Sequence, residues 1–284
     1  MSTENTEQWN EWLAGLIDGD GCFYINKKEK NVSFEITTHI TDIRVLTELK
    51  NKLKVGSVKK RSNSQSVRFR VKTKVAVIDI LHRVNGKLYN PARVAQFIAA
   101  CNLFEITINQ AWLDEVTTGA ASLTIKNSYA YLAGLIDADG TISISVSHTS
   151  TENSQLSGVH GKITRLINSK AHNQVSLKVT TQYENYATLI YKTVGFGKIY
   201  KQKPNKQKKV PNPLYHWTVV SLEDFQLLYE QFKKFPLKSL KMHRIRLVLL
   251  YFKYKQLKYH LYEAGAIEAK IWAKFARLWY KYSY

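Results

Sequence analysis

The chain has 284 residues, 44% of them hydrophobic, with 17 Tyr, 11 Phe and 6 Trp, which is enough to build a substantial core and excludes wholesale disorder. Lys and Arg outnumber Asp and Glu by 42 to 22, and the net charge of +20 favours a polyanionic partner, nucleic acid ahead of an anionic membrane. Cys22 and Cys101 lack metal-ligand spacing, which argues against a disulfide scaffold and a structural zinc site. No apolar run reaches the roughly 18 residues of a membrane span, and the polar start MSTENTEQ predicts no signal or transit peptide.

In chain order, WLAGLIDGDGCFYI at Trp12–Ile25 predicts a helix that stops at Asp20, since Gly21 is the residue expected just past a helix C-terminus. Alternation then predicts strands. Phe23 and Ile25 face inward and Tyr24 and Asn26 outward, while Phe34 and Ile36 face inward and Ser33, Glu35 and Thr37 outward. A helix over Asp42–Leu53 precedes Ser66–Lys74, where Val67, Phe69 and Val71 alternate with Arg68, Arg70 and Lys72 in a row of cations. Helices follow near Val75–Leu81 and Ala92–Phe104. The small-residue run TTGAAS marks a linker at 115–126, dividing the chain into halves 1–114 and 127–284.

The opening string returns as YLAGLIDADGTISI at Tyr131–Ile144, ending its helix at Asp139, and the same plan follows: helix, two strands, helix, two strands, helices. Ile142, Ile144 and Val146 alternate with Thr141, Ser143 and Ser145. The polar stretch His148–Gly161 reads as an extended hairpin tip. Lys178 stands outward in the strand Ser176–Thr181, a helix spans Glu184–Val194, and strands follow at Gly197–Tyr200 and His216–Val220. Between them, Lys198, Lys206 and Lys208 belong to a basic hairpin suited to the phosphate backbone, adding affinity more than specificity. Helices are expected near Leu222–Phe232 and Leu240–Leu261. The tail from Ile267 spaces Ile271, Phe275 and Leu278 on one face and Lys270, Lys274, Arg277 and Lys281 on another, as an amphipathic packing helix would.

Gly15 and Gly19 share a helix face, as do Gly134 and Ala138, and side chains this small let two helices touch almost backbone to backbone. Paired that way, the helix ends bring Asp20 beside Asp139 with the carbonyls of Gly19 and Ala138 nearby, an oxygen-rich site suited to hard divalent ions such as Mg²⁺. One copy alone could be only a helix terminator with packing glycines. Two long copies favour the paired site.

LAGLIDGDG at Leu13–Gly21 and LAGLIDADG at Leu132–Gly140 resemble the signature of the LAGLIDADG homing endonucleases, and the similarity of pattern covers nearly the whole chain. The resemblance implies an α+β fold of two pseudo-symmetric αββαββα half-domains whose antiparallel sheets form a saddle over double-stranded DNA. It also implies that Asp20 and Asp139 bind Mg²⁺ or Mn²⁺, and the paired helix ends add the carbonyls of Gly19 and Ala138 as candidate ligands. The implied reaction hydrolyses one phosphodiester on each strand across the minor groove and leaves short 3′ overhangs. Of the family's basic residues at the scissile phosphate, Lys241 in FPLKSLKMHRI is the match in the second half. In the first half KLYNPARVAQF lacks that Lys and offers Arg93; for either, a solvated surface cation is the alternative. Many members carry Gln at the end of the second strand of each half, where this chain has Thr38 and either Thr181 or Gln182. Asp18 and Asp137 read as interface or capping groups.

The outward residues Tyr24, Asn26, Ser33, Glu35, Thr37, Arg68, Arg70 and Lys72, with Thr141, Ser143, Ser145 and Lys178, form the expected base-reading surface. One chain with unlike halves suits a monomer on an asymmetric site. The rival in another class is an RNA-binding intron maturase on the same fold, for which the metal acids are dispensable. A non-catalytic DNA-binding regulator would bring a helix-turn-helix appendage, for which there is no room. The Lys-, Asn- and Tyr-rich composition points to an AT-rich organellar genome.

Overall fold

The computed structural model describes residues 3–120, 122–125, 128–147, 155–170, 172–204 and 211–283. The first half runs α1 (Thr3–Asp20), β1 (Gly21–Asn26), β2 (Asn31–His39), α2 (Ile43–Leu53), β3 (Ser57–Lys60), β4 (Ser66–Val71), α3 (Lys74–Val84), α4 (Pro91–Leu103) and α5 (Gln110–Thr118). The second runs α6 (Ser128–Asp139), β5 (Thr141–Ser147), α7 (Gly158–Ile167), β6 (His172–Thr181), α8 (Glu184–Val194), β7 (Lys198–Gln202), β8 (Leu214–Val219), α9 (Leu222–Lys234), α10 (Lys241–Gln256) and α11 (Ile267–Trp279). Each half holds a four-stranded antiparallel sheet, ordered β1-β2-β4-β3 and β5-β6-β8-β7, so the α+β duplication expected from the repeat is what forms.

Strand parity explains how each sheet is seated. Phe23, Phe34, Ile36, Val67, Phe69 and Val71 are all buried, and the residues between them stay at least partly open to solvent. In the second sheet Ile142, Ile144, Val175, Leu177, Val179, Trp217 and Val219 are buried in the same way, although in β8 the intervening His216 and Thr218 are buried as well. Period-2 alternation thus gives each sheet one apolar face against helices and one polar face outward. Between the sheets lies the α1/α6 pair, buried along most of both motifs, from Trp12 to Ile17 and from Tyr131 to Asp137.

Several segments differ from the sequence reading. The polar stretch after β5 is no simple hairpin tip, because α7 begins inside it, runs on to Ile167 and packs on α11, where the Trp272 indole donates to Leu166 O at 3.0 Å; residues 148–154 lie outside the described residues. In α11 the buried stripe is Trp272, Phe275, Ala276 and Trp279, while Leu278 is 38% exposed. Two indoles bury more apolar area than Ile and Leu, so the helix turns to seat them. At the junction, α5 runs on to Thr118 and ends at Gly119, whose φ of 66° is left-handed, so the first residues of the expected linker are helical. Trp112 ties this helix to the first half, edge-on to Phe97 and donating to Leu88 O at 3.0 Å.

Candidate functional site

The two motif helices touch along their small residues. A Cβ at Gly15 would lie 2.0 Å from Tyr131 O and one at Gly134 would lie 1.9 Å from Trp12 O, so only glycine fits at either place. One turn on, a Cβ at Gly19 would stand 2.3 Å from the Ala138 Cβ and 3.4 Å from the Asp139 carboxyl carbon. The aromatic that opens each motif bonds to the first acid of the other. Trp12 Nε1 donates to Asp137 Oδ2 at 2.9 Å, and the Tyr131 hydroxyl donates to Asp18 Oδ2 at 2.5 Å.

Those first acids also fix the loops that lead into two further helices. Asp18 accepts from Tyr89 N at 2.7 Å and Asn90 N at 3.1 Å, just before α4, and Asp137 accepts from Lys238 N and Ser239 N, both at 2.9 Å, just before α10. They are interface and capping groups, as read from the sequence. Burial pushes Asp18 up to about 7 despite these donors and raises Asp137 as well.

Anchored in this way, α4 and α10 present one cation each to the motif helix ends. Arg93 Nη2 donates to Gly19 O at 3.3 Å. Lys241 Nζ donates to Ile136 O, Asp137 O and Ala138 O at 2.8, 2.9 and 2.7 Å. Three residues further along their helices, Gln96 accepts from Phe23 N at 3.2 Å and Arg244 donates to Ile142 O at 2.6 Å. Counted from the loops that Asp18 and Asp137 hold, Arg93 stands one residue further along than Lys241 does, so the two cations serve the same ends from unlike positions.

Asp20 and Asp139 end their helices between these cations. Burial and then the charge of Asp139 push the half-buried Asp20 up to about 6, with Lys241 and Arg93 opposing; Asp139 opens to solvent on one side and is raised by desolvation on the other, against the same two cations. Among the described residues no group of three or more His, Cys, Asp or Glu is gathered. An ion here would therefore be held by two carboxylates and backbone carbonyls. Two mutually repelling acids at negative helix ends, with all-oxygen donors, fit a hard divalent cation.

On the polar face of the first sheet, Tyr24 is 62% exposed and Lys72 is exposed, with Asn26, Ser33 and Thr37 partly so. The row of cations needs correction. Glu35 sits between the arginines on the neighbouring strand, 3.0 Å from Arg68 Nη1 and 2.5 Å from Arg70 Nε. Direct pairing of Glu35 with Arg70 and of Thr37 with Arg68 places the carboxylate there, a cross-strand relation that parity alone did not reveal. Lys59, opposite Arg68 on β3, shares this face and went unnoticed in a strand of four residues.

In the second sheet Thr141, Ser145 and Lys198 are exposed and Ser143 and Lys178 half-buried, whereas Lys206 and Lys208 lie outside the described residues. His216 and Thr218 also belong to this polar face, opposite Thr180 and Lys178, although both are buried. No charge pattern marked them. At the end of β6 the Thr181 hydroxyl accepts from Tyr183 N at 3.2 Å, and Gln182 is exposed.

Two like half-domains that meet at a pair of carboxylates on their own pseudo-two-fold axis define a duplicated α+β protein with one shared central site. The chain belongs to the LAGLIDADG endonuclease family, whose model matches residues 13–97 and 132–252. It is 31% identical over 274 residues to the probable intron-encoded endonuclease aI2 of Debaryomyces hansenii, covering 96% of this chain and 38% of that protein. It is equally, 31%, identical over 279 residues to the intron-encoded RNA maturase bI4 of Saccharomyces cerevisiae, covering 96% and 36%. The chain thus spans little more than a third of either relative. The intron-encoded DNA endonuclease ai2a of Dictyostelium discoideum is 26% identical, with 97% and 76% covered. Among solved structures, the LAGLIDADG meganuclease I-AabMI bound to uncleaved DNA matches at a TM-score of 0.66 and 19% identity, covering 93% of this chain and 98% of that one. The I-LtrWI homing endonuclease bound to target DNA gives 0.66 and 18%, with 98% of each covered.

Proposed function

We propose that the chain is a site-specific DNA endonuclease that hydrolyses both strands of a long, pseudo-palindromic duplex site as a monomer, using Mg²⁺ or Mn²⁺ and leaving short 3′ overhangs. The observation that carries this reading is the joint placement of Asp20 and Asp139 at the ends of two touching helices, midway between two sheets with polar outer faces. The DNA-bound meganucleases of the same fold and the intron-encoded DNA endonucleases among its relatives support it. Encoding within an organellar intron is part of the same proposal, supported by the intron-encoded endonucleases among the relatives.

A divalent cation bound at Asp20 and Asp139, with the carbonyls of Gly19 and Ala138 beside them, would supply the Lewis acidity that activates water and neutralises the leaving oxygen. The chain's own groups do the rest. The sheets' outer faces set the register of the duplex, with Tyr24, Asn26, Ser33, Glu35, Thr37, Arg68, Arg70 and Lys72 on one half-site and Thr141, Ser143, Ser145, Lys178 and Lys198 on the other. Arg93 spends one Nη2 donor on Gly19 O and keeps Nη1 for a phosphate oxygen that gains charge in the transition state. Lys241 holds the carbonyl end of α6 and must release at least one N–H to reach a phosphate.

A second reading, an RNA-binding intron maturase, draws on one observation: the match to the yeast maturase is as close in identity as the match to the endonuclease of Debaryomyces. Incubation with a randomised duplex library in Mg²⁺, followed by sequencing of new ends, tests the first. Recurrent paired ends a few nucleotides apart support the endonuclease; no ends in Mg²⁺ or Mn²⁺, together with tight binding of intron RNA, would put the maturase first.

A further inference from the structure

The polar faces of the two sheets solve the same problem with different chemistry. In the first, Thr37 pairs with Arg68 across β2 and β4, and Glu35 ties Arg68 to Arg70 in a charged cluster. The matching pair in the second is Thr180 and His216 across β6 and β8. Here a neutral chain of hydrogen bonds crosses three strands: His216 Nδ1 meets the Thr180 hydroxyl at 2.8 Å, and His216 Nε2 meets Gln202 Oε1 on β7 at 3.0 Å. His216 is 9% exposed, whereas Gln202 is only half-buried, so the chain starts in the floor of the face and surfaces at the amide.

The acceptor at one end sets the direction of every bond. Since Gln202 meets the ring with its carbonyl oxygen, Nε2 must carry the proton, Nδ1 accepts, and the Thr180 hydroxyl donates. Burial, and then the charge of Lys178, hold His216 below its ordinary value, which keeps the ring neutral and the chain polarised one way at neutral pH. With one lone pair of Oε1 engaged by the ring, the amide NH₂ is turned away from the histidine.

Resting on the DNA-endonuclease reading, we propose that Gln202 is a base-reading residue of the second half-site, its amide oriented by His216 and Thr180 so that it offers N–H donors to the major groove. Donors select acceptors. Guanine shows N7 and O6 there, adenine N7 and thymine O4, while cytosine shows only its amino donor. The half-site should therefore contain one position at which cytosine is excluded. A free glutamine would read adenine with carbonyl and amino groups together; an amide held at its oxygen discriminates more broadly.

The test is affinity selection of a randomised duplex library in Ca²⁺ with wild type, Gln202→Ala, Thr180→Val and His216→Phe. Wild type should show one second-half position with about tenfold exclusion of cytosine, the size of one good contact. Gln202→Ala should remove that exclusion and leave the other positions of the profile in place, and the two relay variants should weaken it at the same position. Should buried His216→Phe fail to fold, as judged by its melting curve, Thr180→Val and Gln202→Ala decide. An unchanged profile in Gln202→Ala, or enrichment of cytosine at that position by wild type, overturns the inference while leaving the endonuclease standing. If wild type enriches no duplex at all, the DNA reading falls and this inference falls with it.

Discussion

Lys241 Nζ donates to Ala138 O at 2.7 Å, and its other two protons go to Ile136 O and Asp137 O, so all three donors of the ammonium are spent on the last turn of α6. Arg93, at the end of the other motif helix, makes a single bond of 3.3 Å to Gly19 O. The two cations therefore carry different loads. Lys241→Met should cost about 2–3 kcal/mol of stability, because three charge-assisted bonds are lost and the carbonyls of Asp137 and Ala138 lose their ammonium donor. Arg93→Met should cost under about 1 kcal/mol yet slow cleavage by at least about tenfold, the effect of losing one transition-state donor. Denaturant melts beside single-turnover cleavage separate the two, and a Lys241→Met protein as stable as wild type would contradict the capping role.

Glycine at the helix contact is a second point of leverage. Gly134→Ala places its Cβ 1.9 Å from Trp12 O, an atom of the facing backbone that no rotamer change can move. Relief requires separating α1 from α6, which would stretch the Trp12–Asp137 and Tyr131–Asp18 bonds across the same contact. Overpacking costs about 1–3 kcal/mol where side chains can give way, so the loss here should reach at least about 3 kcal/mol. Thermal melting checks it. Gly195→Ala is no control, since its φ of 82° is strained for any side chain, whereas Gly265→Ala meets open space and should melt as wild type does.

How much of this was legible beforehand depends on whether a property is local. Helix ends at Asp20 and Asp139, strand parity around Phe34 and Phe69, and the tight approach at Gly15 all follow from period and residue size within a dozen neighbours. The Glu35 clamp, the reciprocal Trp12–Asp137 and Tyr131–Asp18 bonds and the three-strand relay through His216 depend on which strands and helices become neighbours. Spacing along the chain does not encode that. The helix after β5 is hidden from the sequence for a related reason: α7 is held by α11, whose buried Trp272 caps it from more than a hundred residues away.

Glu35 supplies a third prediction. Its carboxylate holds Arg68 and Arg70 in fixed positions and cancels one of their charges. Glu35→Gln should let both guanidiniums reach phosphates, strengthening binding to all duplexes and steepening the salt dependence, with log K falling by about one more unit per tenfold rise in salt. Discrimination at one or two first-half positions should weaken, because free arginines lose the fixed geometry that pairs them with guanine. Arg68→Ala should weaken the same positions while lowering affinity by roughly 1–3 kcal/mol. Binding titrations at several salt concentrations are the check, and a salt slope equal to that of wild type would mean that Glu35 already releases the arginines on DNA.

Asp20→Asn and Asp139→Asn, each alone, should abolish double-strand cutting while leaving specific DNA affinity intact or raised. Asn keeps the shape of Asp but lacks the negative charge that holds a hard cation, while base and phosphate contacts come from the sheets and remain. The same substitution has a consequence without DNA. Asp20 is pushed up to about 6 from an ordinary 3.8 by burial and by Asp139, so between those values the folded protein binds a proton that the unfolded chain has released. Its stability accordingly falls as pH rises through that window, and the full penalty is present above pH 6. Asn never ionises and escapes it. Metal-free Asp20→Asn should therefore melt close to wild type at pH 4 and progressively above it up to pH 7, and added Mg²⁺ should raise the wild-type melting temperature at pH 7 far more than that of the variant. Melting curves across pH with EDTA or Mg²⁺, run beside a gel-shift titration in Ca²⁺ and a cleavage time course in Mg²⁺, give all of these readouts. Near-normal cleavage by both variants would remove these acids from the active site, and a melting difference that did not grow with pH would deny that burial and Asp139 together raise Asp20.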